Sequence, residues 1–193
     1  PWSGLLPWNI EILVFIDHTH GWEVVGTAQG PAHNHQIPAN DWPSLLSFAH
    51  QHGFPAHQLC LRPDNAHDQR VIKGVDSWEA LAHAFHLCHG LSAQRQVHAE
   101  SELRAFGNPT RMAMIERAAH DLVQKINQAC PACDGPGYQV VSHRSGLPCA
   151  ACGLPTRMAT HAVWRCAHCQ HCQEVVLAQA RSTDPSRCDH CNP

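Results

Sequence analysis

Between residues 130 and 193 the chain repeats one spacing four times: Cys130/Cys133, Cys149/Cys152, Cys166/Cys169 and Cys188/Cys191. Two cysteines separated by two residues present two sulfurs from one tight turn, and four such ligands satisfy the tetrahedral demand of zinc. The gaps between successive pairs are 15, 13 and 18 residues, each near the reach of a short β-hairpin. Eight cysteines therefore predict two structural Zn2+ sites of four thiolates each. Disulfides fit poorly. The cysteine count of 11 is odd, no secretory signal is visible, and knuckles of this spacing favour metal in a reducing compartment. A thioredoxin-like pair would stand alone at a helix start.

Which pairs share an ion is open to two arrangements. Serial pairing joins Cys130, Cys133, Cys149 and Cys152 on one ion and Cys166, Cys169, Cys188 and Cys191 on the other. Cross-braced pairing joins the first pair to the third and the second to the fourth. Serial pairing is the expectation, because each site then closes one short loop. Cys169/Cys172 has the same spacing, but the strand-like Ala162-Val163-Trp164 run leads into Cys166, which leaves Cys172 spare. His168, His171 and His190 lie in or beside knuckles as substitute ligands. The first two knuckles repeat as Cys-x-x-Cys-x-x-Pro, ending at Pro136 and Pro155.

Residues 1–129 hold only Cys60 and Cys88. The change in density divides the chain into a mixed α/β domain, 1–129, and a double zinc-ribbon module, 130–193, an α+β protein overall. The first domain begins at Pro1 without a Met and is read as open to an N-terminal extension. Asn9–Phe15 and Trp22–Thr27 predict a hairpin turning through Asp17–Gly21. Pro31–Asn40 reads as loop. A helix opens at Asp41-Trp42-Pro43 and closes at Gly53. His57–Arg62 and Arg70–Lys73 read as short strands. A second helix starts in a capping box with Asp76 as cap and Glu79 at its third position. The third begins at Asn108-Pro109, with Met112, Ile115, Ala119, Leu122 and Ile126 at helical spacing.

Charge limits the partners. Residues 130–193 carry five arginines and four acids, a balance of +1 that two four-thiolate zinc sites take to about −3. Phosphate neutralisation requires clustered cations, and these arginines are scattered. A protein partner is expected in preference to nucleic acid. The longest apolar run, Ile12–Ile16, is strand-length, far below a membrane span. Thiolate zinc without a visible leader points to the cytoplasm.

Eighteen histidines make the chain histidine-rich. His18/His20, His33/His35 and His50/His52 form His-x-His pairs, and His83 and His86 share a helix face that would accept a metal. Their wide spread favours solvated side chains. A different cluster occupies the approach to the third helix, where Glu102, Arg104, Asn108 and Arg111 crowd a helix N-terminus. Such a terminus with nearby arginine suits an anion, and Lys73 reaches the same place from a strand end. The bland alternative is equally open: Glu102 pairs with Arg104 or Arg111, and Asn108 is only a cap.

Several stretches together resemble an uncharacterised bacterial family, a domain of unknown function with a C-terminal double zinc knuckle. They are Pro7–Glu11, Gly53–His57, Ile72–Gly74, Arg104-Ala105, Asn108–Met112, Gly146–Cys149 and Cys188–Pro193. The resemblance spans nearly the whole chain and implies no assigned chemistry. The family's pattern places Asp-Met before Arg-Ala, where this chain has Glu102-Leu103, and Gly after the first knuckle, where it has Asp134. The order of the N-terminal elements also resembles that of house-cleaning pyrophosphatases acting on non-standard nucleoside triphosphates. That likeness implies metal-binding acids upstream of Pro1 and a Mg2+ cofactor. Two readings follow: a zinc-binding protein whose module is structural or docks a partner, or a nucleotide- or phosphate-handling hydrolase using Lys73, Glu102, Arg104, Asn108 and Arg111.

Overall fold

The structure is a computed structural model and describes residues 7–177 and 181–193. The described residues form three α-helices and three small antiparallel sheets. The chain divides into two compact units. One comprises Thr27–Ala118 with the start of the chain up to Glu11; the other comprises Ile12–Gly26 and Ala119–Pro193.

The first unit is built on a four-stranded sheet in the order β3-β6-β4-β5, formed by β3 (Gln36–Ala39), β4 (Leu59–Pro63), β5 (Ile72–Val75) and β6 (Val97–Ser101). Period-two alternation sorts the central pair. Leu59, Leu61, Val97 and Ala99 enter the core, so Cys60, Arg62, His98 and Glu100 fall on the other face, with Cys60 opposite Glu100 and Arg62 opposite His98. Helices α1 (Trp42–Gln51) and α2 (Trp78–Leu91) complete the core with Leu45, Phe48, Leu81, Ala84, Phe85 and Cys88.

Side chains set the helix starts. Asp41 accepts the Ser44 amide at 2.8 Å and caps α1. The α2 cap is Ser77, which accepts from Ala80 N, rather than Asp76. A hydroxyl at the residue directly before Trp78 reaches that amide, while Asp76 lies one residue too early. Asn108 caps α3 (Pro109–Ile126) by accepting the Arg111 amide at 3.1 Å. Two strands are hidden in the sequence. β3 carries Pro38 and falls in the stretch that reads as loop; it sits at the sheet edge, where a missing N–H is tolerated. β6 conceals its periodicity because only Val97 and Ala99 are apolar.

The second unit has a three-stranded sheet of β7 (Tyr138–Ser145), β8 (Ala159–Cys166) and β9 (Cys172–Val176). One buried apolar cluster here is Cys130, Tyr138 and Cys166, with Trp164 packed alongside; the Tyr138 and Trp164 rings stack at 5.4 Å. The tip of the hairpin made by β1 (Trp8–Asp17) and β2 (Trp22–Pro31) belongs here. Asp17 accepts the Thr19 amide at 2.8 Å, and Gly21 supplies the left-handed φ of 68° that the turn needs. Val24 and Trp22 of this tip lie against Gly137 and Gly135, just past the first knuckle.

Candidate metal centres and a basic cleft

The eight cysteines of the four pairs gather into two sets, Cys130/Cys133/Cys166/Cys169 and Cys149/Cys152/Cys188/Cys191. Pairing is therefore cross-braced, not serial. The hairpin decides it. β7 and β8 run antiparallel with Tyr138 opposite Cys166, so the knuckle before β7 meets the knuckle that ends β8. The second knuckle lies beyond β7, whose eight residues run roughly 26 Å along the strand, a distance that no single ion spans. At that far end Cys149 bridges to Thr183, and Ala150 N donates to Thr183 O at 2.9 Å, which brings in the fourth knuckle. Strand length outweighs the loop-closure preference for serial pairing.

The sulfur spacings fit a tetrahedron. Cys130–Cys169, Cys133–Cys166, Cys149–Cys191 and Cys152–Cys188 lie 3.7, 3.8, 3.9 and 3.7 Å apart. Zinc–sulfur bonds of ~2.3 Å put tetrahedral sulfurs ~3.8 Å apart. Each set could hold one metal ion. In each, backbone N–H groups turn toward a sulfur: Ala132 N to Cys130 Sγ, Ala151 N to Cys149 Sγ and Cys169 N to Cys166 Sγ, all at 3.4 Å. Burial works against the Cys130 thiolate, yet the amides of Ala132 and Cys133 draw the thiol down to about 7. The amides of Cys152 and Ala151 bring Cys149 to about 7 as well.

Three knuckles end in a left-handed residue, Asp134, Gly153 and Gln170 at φ 58°, 73° and 63°. Asp134 thus accepts a conformation for which glycine is the easier residue. Cys172, on β9, belongs to neither set, and among the described residues no histidine completes one.

On the sheet face away from the helices of the first unit, Lys73, Glu102, Arg104 and Arg111 line one cleft of about 250 Å³, together with Cys60, Arg62 and Glu100. Glu102 is 3% exposed. Its carboxylate accepts the Gly74 amide at 3.1 Å, the Arg104 amide at 2.9 Å, the Arg104 guanidinium and the Cys60 thiol. Burial opposes its charge, but these donors, Arg104 foremost, hold it at about 2. Burial and the neighbouring carboxylate push the Cys60 thiol to about 12. Two glycines permit the crowding. A Cβ on Gly107 would stand 2.7 Å from Glu102 Cγ, and one on Gly74, at φ 68°, 3.2 Å from Arg104 Nη2.

Asn108 does not line this cleft. It is buried, with Nδ2 donating to His33 O and Glu102 O at 3.1 and 2.9 Å, and it ties the end of β6 to the start of α3. Arg111 pairs with Glu11 at 2.7 Å rather than with Glu102.

A family model described as a domain of unknown function, DUF6671, matches residues 4–193. The chain belongs to this family. No curated protein and no solved structure matches it, so the likeness to nucleoside triphosphate pyrophosphatases finds no support in these comparisons.

One cluster leaves little trace in the sequence. His33, His35, His52 and His57 pack ring on ring, with centroids 3.8 Å apart for His33–His57, 3.9 Å for His35–His52 and 4.7 Å for His33–His35. They are not the separate solvated side chains expected. Burial, then the neighbouring His57, His35 and His52, lowers His33 to about 4. The His-x-His spacings are the available signal; His57 carries none. His83 and His86 on α2 join no metal-binding group among the described residues.

Proposed function

We propose that each four-cysteine set holds one structural Zn2+ and that these ions, not an apolar core, maintain the C-terminal module, which serves as a docking element for a protein partner. The observation carrying this reading is the sulfur geometry: in each set the four sulfurs lie within 4.8 Å of one another, with two separations of 3.7–3.9 Å. Four protein ligands close the coordination sphere, whereas catalytic zinc keeps a position open for water or substrate. The local charge of about −3 when loaded supports a protein partner over nucleic acid.

Native mass spectrometry of the purified chain tests it. Two zinc ions per chain, with loss of module structure on chelation, is the expected result. Fewer than two ions, or a module that stays folded when stripped, overturns it.

The cleft supports binding ahead of hydrolysis. A carboxylate held at about 2 is already ionised and donor-saturated, and a general base works best with a pKa near the operating pH. A thiol at about 12 is a poor nucleophile.

A further inference from the structure

The cleft of the first unit is a charge arrangement with one side left over. Four cations line it, Arg62, Lys73, Arg104 and Arg111, against two carboxylates, Glu100 and Glu102. Both carboxylates are taken. Glu100 accepts Arg62 Nε and Nη2 at 3.1 and 2.8 Å, and Arg62 Nη1 is spent on Asp68 O at 2.8 Å. Glu102 is saturated by Arg104, Gly74 and Cys60. Arg62 is therefore held at all three of its nitrogens by Glu100 and Asp68 O, and neither carboxylate needs another cation.

The remaining donors point to a ligand. Lys73 is exposed and has no ion-pair partner among the described residues. Arg104 uses one guanidinium nitrogen on Glu102 and lays its plane 4.7 Å over the Phe106 ring, which fixes the group while leaving other N–H donors unused. Arg111 spends Nε on Glu11 and Nη1 on Leu103 O, which leaves Nη2. Three cations on three different segments thus converge with donors to spare. Buried Glu102 anchors two of those segments, through the amide of Gly74 beside Lys73 and through Arg104 itself.

We infer that this cleft binds the phosphate group of a small molecule, with Lys73, Arg104 and Arg111 as ligands and with Glu102 and Asn108 as positioning residues that never touch it. Phosphate is the match because a dianion with several acceptor oxygens uses three separate cations, where a carboxylate engages one planar fork. Glu102 takes no direct part, because a carboxylate would repel the ligand; its work is to hold Arg104 and the Lys73 strand end in place. The inference rests on the first unit alone and stands apart from the zinc reading.

The test is calorimetric titration of the full, zinc-loaded chain with inorganic phosphate, pyrophosphate and a nucleoside triphosphate, with acetate as control. Lys73→Ala is the informative variant, since Lys73 holds no ion-pair partner among the described residues and its loss leaves the melting temperature unchanged. Binding of at least one phosphate species, weakened tenfold or more by Lys73→Ala and by Arg104→Gln, with acetate silent, supports the inference. Preference for inorganic phosphate or for the larger species tells a free ion from a carried phosphate group. No binding at millimolar concentration, or equal affinity in Lys73→Ala, overturns it.

Discussion

The two units solve the same stability problem with different materials. The first buries Leu45, Leu59, Leu61, Leu81 and Val97 completely or nearly so between two helices and one sheet face, the ordinary route of a domain with enough residues to enclose a core. The second offers a small buried cluster of Cys130, Tyr138 and Cys166 and leaves every residue of β9 exposed. On the proposed reading, metal and not apolar area holds so thinly covered a sheet together. The contrast explains why cysteine rather than leucine marks the C-terminal sequence, and it predicts that each unit fails to a different insult.

The largest effect follows from removing metal. Structural zinc contributes on the order of 10–16 kcal/mol of folding free energy in small thiolate sites, so a chelator, or Cys166→Ser, abolishes hydrogen-exchange protection across β7, β8 and β9. Amides of β4 and β6 keep theirs. Simultaneous loss in both units would erase the distinction. Next comes the converse experiment, Leu61→Ala. Leu61 is fully buried, and such truncations cost about 2–5 kcal/mol, measured as a lowered unfolding midpoint for β4 and β6 with zinc content still two per chain.

Acid provides a third, smaller separation. His33 is held at about 4, against 6.5 for the free side chain, so the unfolded chain binds its proton first as pH falls. His52, His57 and His98 shift in the same direction, each mainly through burial. The stability of the first unit is therefore complete above about pH 6.5 and drops as pH falls toward 4. His33→Gln flattens that slope when read by exchange at β4 and β6; an unchanged slope would assign the acid response elsewhere. The smallest effect is Cys172→Ser. This exposed cysteine lies outside both sets, so the variant keeps two zinc ions and shifts stability by no more than about 0.5 kcal/mol.

Legibility in the sequence followed the same division. The eight cysteines that gather into two sets could be picked out residue by residue because Cys-x-x-Cys is a local pattern with one dominant physical use. Its partnering could not, since that depends on where an eight-residue strand delivers the next knuckle. In the first unit, α1 and α3 announced themselves through Asp41, Asn108 and Pro109. β3 and β6 did not, because half of each strand faces a polar surface and carries Pro38, His98 or Glu100 where an apolar alternation would have shown. Lys73, Glu102, Arg104 and Arg111 were legible as neighbours. The separation of roles, with Glu102 as a buried anchor and Arg111 tied to distant Glu11, required the fold.

Cross-bracing also changes how the module meets a metal supply. Closing the first site joins Cys133 to Cys166 across 33 positions, and closing the second joins Cys152 to Cys188 across 36. Half of each ligand set lies within the segment that the other set closes. Neither ion organises its loop without also laying down part of its neighbour's site, so the second ion meets ligands whose chain entropy the first has already reduced. With zinc in both sets, this overlap predicts threshold uptake: in a native mass-spectrometric titration, empty and doubly loaded chains are expected to outnumber singly loaded ones. Singly loaded chains in abundance would show instead that the two sites fill independently.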